Sequence, residues 1–176
     1  MFASFDISLL EWIQNHRIES LDGILSLFSA ATTYISFGII LAIGIFSRVS
    51  RNGLKKMVQM GLVLFLAALL TFALKNTVMR DRPFKAHESI EKLTLGGDAS
   101  FPSGHTMEAF SVAITVALLF RRRSVQVPAI LWAILVAYSR MALGVHYPSD
   151  VLGGLLIGII LAIGIDYGFK RLINPP

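Results

Sequence analysis

Twelve residues, Ser139 to Asp150, hold the most chemistry per length in this chain. They place Ser139 and Arg140 at the end of one apolar run, and His146, Pro148 and Asp150 at the start of the next. Proline suits a first helical position, where its missing N–H would have had no partner. Asp150 then falls at the third helical position, from which a carboxylate reaches back toward the His146 ring. A carboxylate on one ring nitrogen fixes the tautomer and leaves the other nitrogen basic and free to attack. Taken alone, the stretch reads equally as a surface histidine followed by a capping acid.

Other polar residues add to it. Pro102-Ser103-Gly104-His105 opens a second helix, whose first N–H groups and positive dipole end point at whatever sits above them. Gly104 carries no side chain to keep an anion from the backbone. Lys75, Arg82 and Arg140 supply three cations, and arginine can grip phosphate oxygens two at a time. Together these groups describe a phosphate site. Singly, each has a plainer reading: a snorkelling Lys75, a loop charge at Arg82, a helix cap at Ser103, a polar helix start at His105. No carboxylate cluster is present to hold a metal, and there is no cysteine.

The elements that must position these groups are membrane helices. The 176 residues, one domain by size, are 55% hydrophobic and only 15% charged, with a mean hydropathy of +0.68. Spans are expected at about 23–47, 57–79, 103–120, 125–142 and 148–169, each close to the ~20 apolar residues that cross a bilayer. The span at 23–47 carries Thr32-Thr33 at its middle and forms either one kinked helix or two shorter ones. Residues 1–20 read as an amphipathic interfacial helix anchored by Trp12. Residues 80–100 form a loop, with a short helix expected over 86–93. Gly154/Gly158 and Gly164/Gly168 are small-residue pairs that let helices approach closely. The fold class is thus an all-α integral membrane bundle of about five spans plus the interfacial helix.

Net charge is +5, but the cations sit in short loops between apolar runs, which argues against a nucleic-acid partner. Four Lys/Arg at 48–56, three at 121–123 and Lys170-Arg171 all fall on one side of the five-span arrangement. That side is expected to be cytoplasmic. The N-terminus, the 80–100 loop and all the candidate site residues then face outward. No cleavable signal peptide is expected, because the first stretch is acidic and amphipathic.

Lys75 followed after six residues by Arg82-Pro83, then Pro102-Ser103-Gly104-His105, then Ser139-Arg140 with His146 and Asp150 closely resembles the three-part signature of the type 2 phosphatidic acid phosphatases. The resemblance covers residues 75–150. It implies a metal-independent phosphatase without cofactors, with His146 as a nucleophile that forms phosphohistidine and Asp150 as its orienting carboxylate. His105 would protonate the leaving oxygen and then activate water. Lys75, Arg82, Ser103, Gly104 and Arg140 would hold the phosphate. Such a mechanism needs His146 neutral and His105 protonated at the start.

The implied substrate is a lipid phosphate entering sideways from the bilayer, in a bacterial inner membrane with the site toward the periplasm. Candidates are undecaprenyl diphosphate, phosphatidylglycerophosphate, phosphatidate and a lipid A phosphate. The first is favoured by Asp98 to Ser103 and Arg82-Pro83-Phe84, which resemble the small undecaprenyl-diphosphate phosphatases, although some of those carry Asp at the Gly104 position. Lys85, His87 and Lys92 are candidates for a second phosphate, or simply solvated loop charges. Glu108 either tunes His105, touches a headgroup or is a rim acid. His16 and Asp166, the latter near the inner interface by Lys170, have no expected role. A phosphotransferase and a catalytically silent lipid-binding or transport protein are the competing readings. Nothing in the sequence specifies an oligomeric state.

Overall fold

The computed structural model describes residues 2–46 and 51–173. Among them every regular element is helical: α1 (Phe2–Asn15), a 3-10 turn (Glu19–Leu21), α2 (Asp22–Ala30), α3 (Thr32–Phe46), α4 (Arg51–Val78), α5 (Pro83–Ala86), α6 (Gly104–Leu119), α7 (Arg123–Ala142) and α8 (Pro148–Ile173). Three helices, built on α4, α7 and α8, are long and apolar enough to cross a membrane. The expected span at 23–47 is a broken one. Helices α2 and α3 meet at Ala31 with a bend of 48°. The Thr32 and Ser36 hydroxyls bond back to the carbonyls of Phe28 and Thr32, a pattern that bends helices.

Helix α6 is the hub, packed against α3, α4, α7 and α8. Its 16 residues extend only about 24 Å, less than a full span. It is buried nearly all round, including Thr106, Ser111 and Thr115, so it lacks the polar stripe of a surface helix. Thr115 satisfies its hydroxyl on the Ser111 carbonyl. The seam with α8 depends on two glycines. A β-carbon at Gly154 would lie 2.6 Å from the Ser103 carbonyl oxygen, and one at Gly158 2.7 Å from that of Met107. A β-carbon at Gly164 or Gly168 would meet nothing within 4 Å among the described residues, so the second small-residue pair marks no close helix approach there. The outward faces of α4 and α8 expose Val58, Leu69, Leu152 and Ile160, as helices against lipid chains must.

Some boundaries differ from expectation. Helix α4 begins at Arg51 rather than 57, so part of the basic 48–56 segment is helical, and residues 47–50 lie outside those described. The short helix of the outer loop is Pro83–Ala86, started by proline at its first position, and not 86–93. Helix α1 exposes Trp12 and Phe5, as an interfacial helix should, but two of its expected polar-face residues, Asp6 and Gln14, are buried with Leu10 against the bundle. The Gln14 side chain donates to the Glu91 and Ala142 carbonyls and accepts from the Glu91 N–H. Arg17 pairs with Asp22 and Glu91. The N-terminal segment therefore straps down the 80–100 loop.

Candidate active site

The turn between α7 and α8 is built to present one imidazole. Gly144 has φ +72°, a left-handed conformation that glycine adopts without strain. A β-carbon there would also strike the Glu91 carbonyl oxygen at 2.0 Å. The chain then folds back so that the Val145 and His146 N–H groups both donate to the Arg140 carbonyl, at 3.2 and 3.3 Å. Asp150, at the third position of α8, reaches back as expected, but its direct bond is to the Tyr147 N–H at 2.9 Å. The nearer carboxylate oxygen lies 3.6 Å from His146 Nδ1, beyond hydrogen-bond range.

Arg82 orients the other face of the ring. Its Nη1 donates to the Val145 carbonyl at 2.8 Å and lies 3.3 Å from His146 Nε2. A guanidinium has only donors, so Nε2 is the accepting nitrogen and the ring proton belongs on Nδ1, the side facing Asp150. Complete burial, reinforced by Arg82 and Arg140, pushes the His146 pKa down to about 3 in spite of the Asp150 carboxylate. The ring is therefore neutral at pH 7, with its lone pair on Nε2.

The remaining cations are held by backbone carbonyls and one hydroxyl. Lys75 Nζ donates to the Ala99 carbonyl at 2.6 Å. Arg140 donates to the Ser29 hydroxyl and, at 3.4 Å, to the Leu95 carbonyl. The Nε–H groups of Arg82 and Arg140 are buried and have no hydrogen-bond partner among the described residues. The start of α6 is tied to that of α8 by a bond from the Ser103 N–H to the Asp150 carbonyl.

Lys75, Arg82, Gly104, His105, Arg140 and His146 line a single cavity of about 680 Å³. Two expected site residues stand outside its wall. Ser103 is fully buried, with its hydroxyl on Thr106 at 2.8 Å. Asp150 is likewise fully buried, behind His146. Gly104 also has a packing reason to be small, since a β-carbon there would be 2.9 Å from the Thr71 methyl. From the polar end the cavity runs along α4 from Lys75 to Gly61, about 21 Å by helical rise. Phe37 and Ile40 of α3 face Leu64, Phe65 and Ala68 of α4 along it. Glu108 lines the wall too, accepting from the Thr33 hydroxyl at 3.0 Å.

The loop charges proposed for a second phosphate are engaged elsewhere. Lys85 pairs with Asp98 at 3.4 Å, Lys92 sits over the Phe84 ring, and His87 stands edge-on to Tyr147. Asp166 accepts from Gln59 and Lys170 far down α8. No group of three or more His, Asp or Glu among the described residues is arranged to hold a metal ion. Sequence reasoning passed over Asp6, Arg80 and Ser100, all of which bond around Asp150 or its helix start. It also passed over the apolar channel between α3 and α4.

Residues 56–173 match the model of the PAP2 superfamily. The chain belongs to that superfamily. It is accordingly a membrane lipid phosphatase, a hydrolase of phosphate esters. It is 31% identical to an undecaprenyl-diphosphatase, BcrC, of Bacillus subtilis over 92% of this chain and 81% of that protein. A lipid A 4'-phosphatase of Bacteroides thetaiotaomicron is 36% identical over 54% of this chain and 48% of its own length. A crystal structure of a transmembrane PAP2-type phosphatidylglycerolphosphate phosphatase from Bacillus subtilis superposes with a TM-score of 0.81. That similarity covers 99% of this chain and 88% of the other, at 28% identity.

Proposed function

We propose that the protein hydrolyses a polyprenyl diphosphate, best matched by undecaprenyl diphosphate, at the outer face of a bacterial inner membrane. One observation carries this reading. A cationic pocket holding both histidines opens directly into an apolar channel about 21 Å long between α3 and α4. The terminal phosphate sits among Lys75, Arg82 and Arg140, where the unpaired Nε–H groups of the two arginines meet its oxygens. The N–H groups at the start of α6, at Gly104 and His105, face the same anion, and buried Ser103 shapes that helix start.

His146 Nε2 attacks phosphorus while the bond to the bridging oxygen breaks, and His105 delivers a proton to that oxygen. Positive charge developing on the imidazole is met by Asp150 behind Nδ1. The ring moves from 3.6 Å toward hydrogen-bond distance as it does so. Water then attacks the phosphohistidine, giving its proton to His105, and inorganic phosphate leaves. The three cations stabilise the equatorial oxygens throughout. The excess of Lys/Arg in the 48–56, 121–123 and C-terminal segments supports an outward-facing site.

A second reading has its own support. With Lys85 and Lys92 engaged by Asp98 and Phe84, the cavity offers cations for one phosphate rather than two. That favours a monophosphate lipid such as phosphatidylglycerophosphate. Phosphate release by purified protein in detergent decides between them. The first reading expects kcat/KM at least about tenfold higher on undecaprenyl diphosphate than on phosphatidylglycerophosphate. The reverse order establishes the second.

A further inference from the structure

Arg80 is absent from the cavity wall, yet it is the cation in direct contact with Asp150. Its Nη1 donates to Asp150 Oδ1 at 2.8 Å and to the Ser149 hydroxyl at 2.7 Å. Its Nη2 donates at 2.7 Å to Asp6 of α1. The guanidinium carbon sits over the Tyr147 ring, 3.8 Å from its centre. Asp6 is 5% exposed, and its carboxylate also accepts from the Ser149 N–H at 2.9 Å and the Ser149 hydroxyl at 2.5 Å. The other Asp150 oxygen accepts from the Ser100 hydroxyl and the Tyr147 N–H. Helix α1 is thereby bolted to the first turn of α8 through a carboxylate–guanidinium–carboxylate row ending 3.6 Å from His146.

The charges in this row have a consequence for the nucleophile. Arg80 alone would neutralise Asp150 and leave His146 facing no net negative charge. Asp6, on the far side of the same guanidinium, restores a net charge of one unit. We propose that Asp6 and Arg80 are positioning residues for phosphoryl transfer. Arg80 fixes the Asp150 carboxylate behind Nδ1, and Asp6 keeps the row net negative, so that the imidazolium forming at His146 is stabilised. This rests on the assignment of His146 and Asp150 given above.

The test is a double-mutant cycle on the full-length protein in detergent, using Asp6→Asn, Arg80→Gln and the double variant. Asparagine and glutamine retain hydrogen-bonding groups at both positions. Asp6→Asn leaves a neutral row and is expected to lower kcat about tenfold or more, with KM within about threefold of wild type. Arg80→Gln buries two carboxylates side by side and lowers kcat as well. The double variant returns the row to one negative charge and is more active than either single variant, a sign that simple loss of packing does not give. Overturning results are a double variant no more active than the better single one, or an Asp6→Asn defect confined to KM. If either single variant fails to fold, the other still gives the comparison with the double. His146→Ala separates the two levels of inference. Activity retained there removes the nucleophile assignment, whereas an inactive His146→Ala beside a fully active Asp6→Asn removes only the clamp.

Discussion

Arg82→Lys is the substitution whose effect follows most directly from the geometry. Arg82 is 4% exposed and its Nη1 serves both the Val145 carbonyl, at 2.8 Å, and the His146 ring, at 3.3 Å. Its Nε–H has no partner among the described residues, and Gly96 packs against the guanidinium, since a β-carbon there would lie 3.2 Å from Nη1. Lysine preserves the charge but replaces a planar fork by a single point donor. It cannot hold the Val145 carbonyl and two phosphate oxygens together. One lost charge-assisted bond to the transferring phosphoryl group costs about 1.5–3 kcal/mol. That predicts a fall of about 10- to 150-fold in kcat/KM. The Val145 carbonyl, left short of a donor, lowers stability by a further ~1–3 kcal/mol, which is read separately as a melting midpoint. The assay is phosphate release from lipid phosphate in detergent micelles, below the melting temperature of both proteins. An Arg82→Lys enzyme within about threefold of wild type would refute the assigned grip on the phosphate.

Ala68 lines the apolar channel, so Ala68→Trp is expected to lower kcat/KM on a long-chain lipid phosphate at least about tenfold. A short soluble phosphate ester should be turned over as before, because the tail leaves lipid for protein and its fit depends on shape rather than on transfer from water. At the α6–α8 seam, Gly158→Leu drives a side chain into the Met107 carbonyl and is expected to cost more than about 3 kcal/mol of stability. Gly168→Leu, with open space around it, should stay within about 0.5 kcal/mol. The depressed pKa of His146 has a definite sign. The unfolded ring takes up a proton below about 6.5, whereas the folded ring stays neutral down to about 3. Stability is therefore complete above the unfolded value and is lost as pH falls toward the folded one. From pH 6.5 to 5 the wild type should lose about 2 kcal/mol more than His146→Gln, by chemical denaturation in detergent.

The groups proposed for catalysis were legible in the sequence because they sit at helix ends, where proline, glycine and capping acids announce themselves. Pro148 and Asp150 located the start of α8, and Pro102 to His105 located that of α6. The broken span was legible as well, since adjacent threonines interrupt an apolar run and their hydroxyls compete for backbone carbonyls. Asp6 and Arg80 were not legible. Their partners lie 143 and 70 residues away in sequence, and an acid on an amphipathic helix looks the same whether it faces water or a buried arginine. The difference between Gly158 and Gly168 was hidden for a related reason. Both belong to the same four-residue spacing, and only the direction in which each faces decides whether a neighbouring helix or lipid lies against it. The apolar channel escaped notice because membrane helices are apolar on every side, so a groove between two of them leaves no periodic trace.

The central claim is that His146 carries the phosphoryl group. Rapid acid-free quenching of enzyme with a lipid phosphate labelled at its terminal phosphorus, followed by denaturation at high pH and peptide mapping, measures this directly. Label is expected on the peptide containing His146 in a base-stable, acid-labile linkage. More of it should accumulate in His105→Ala, where water attack lacks its base, and none in His146→Ala. Turnover of wild-type enzyme with no label on His146, or with label at another residue, would contradict the account.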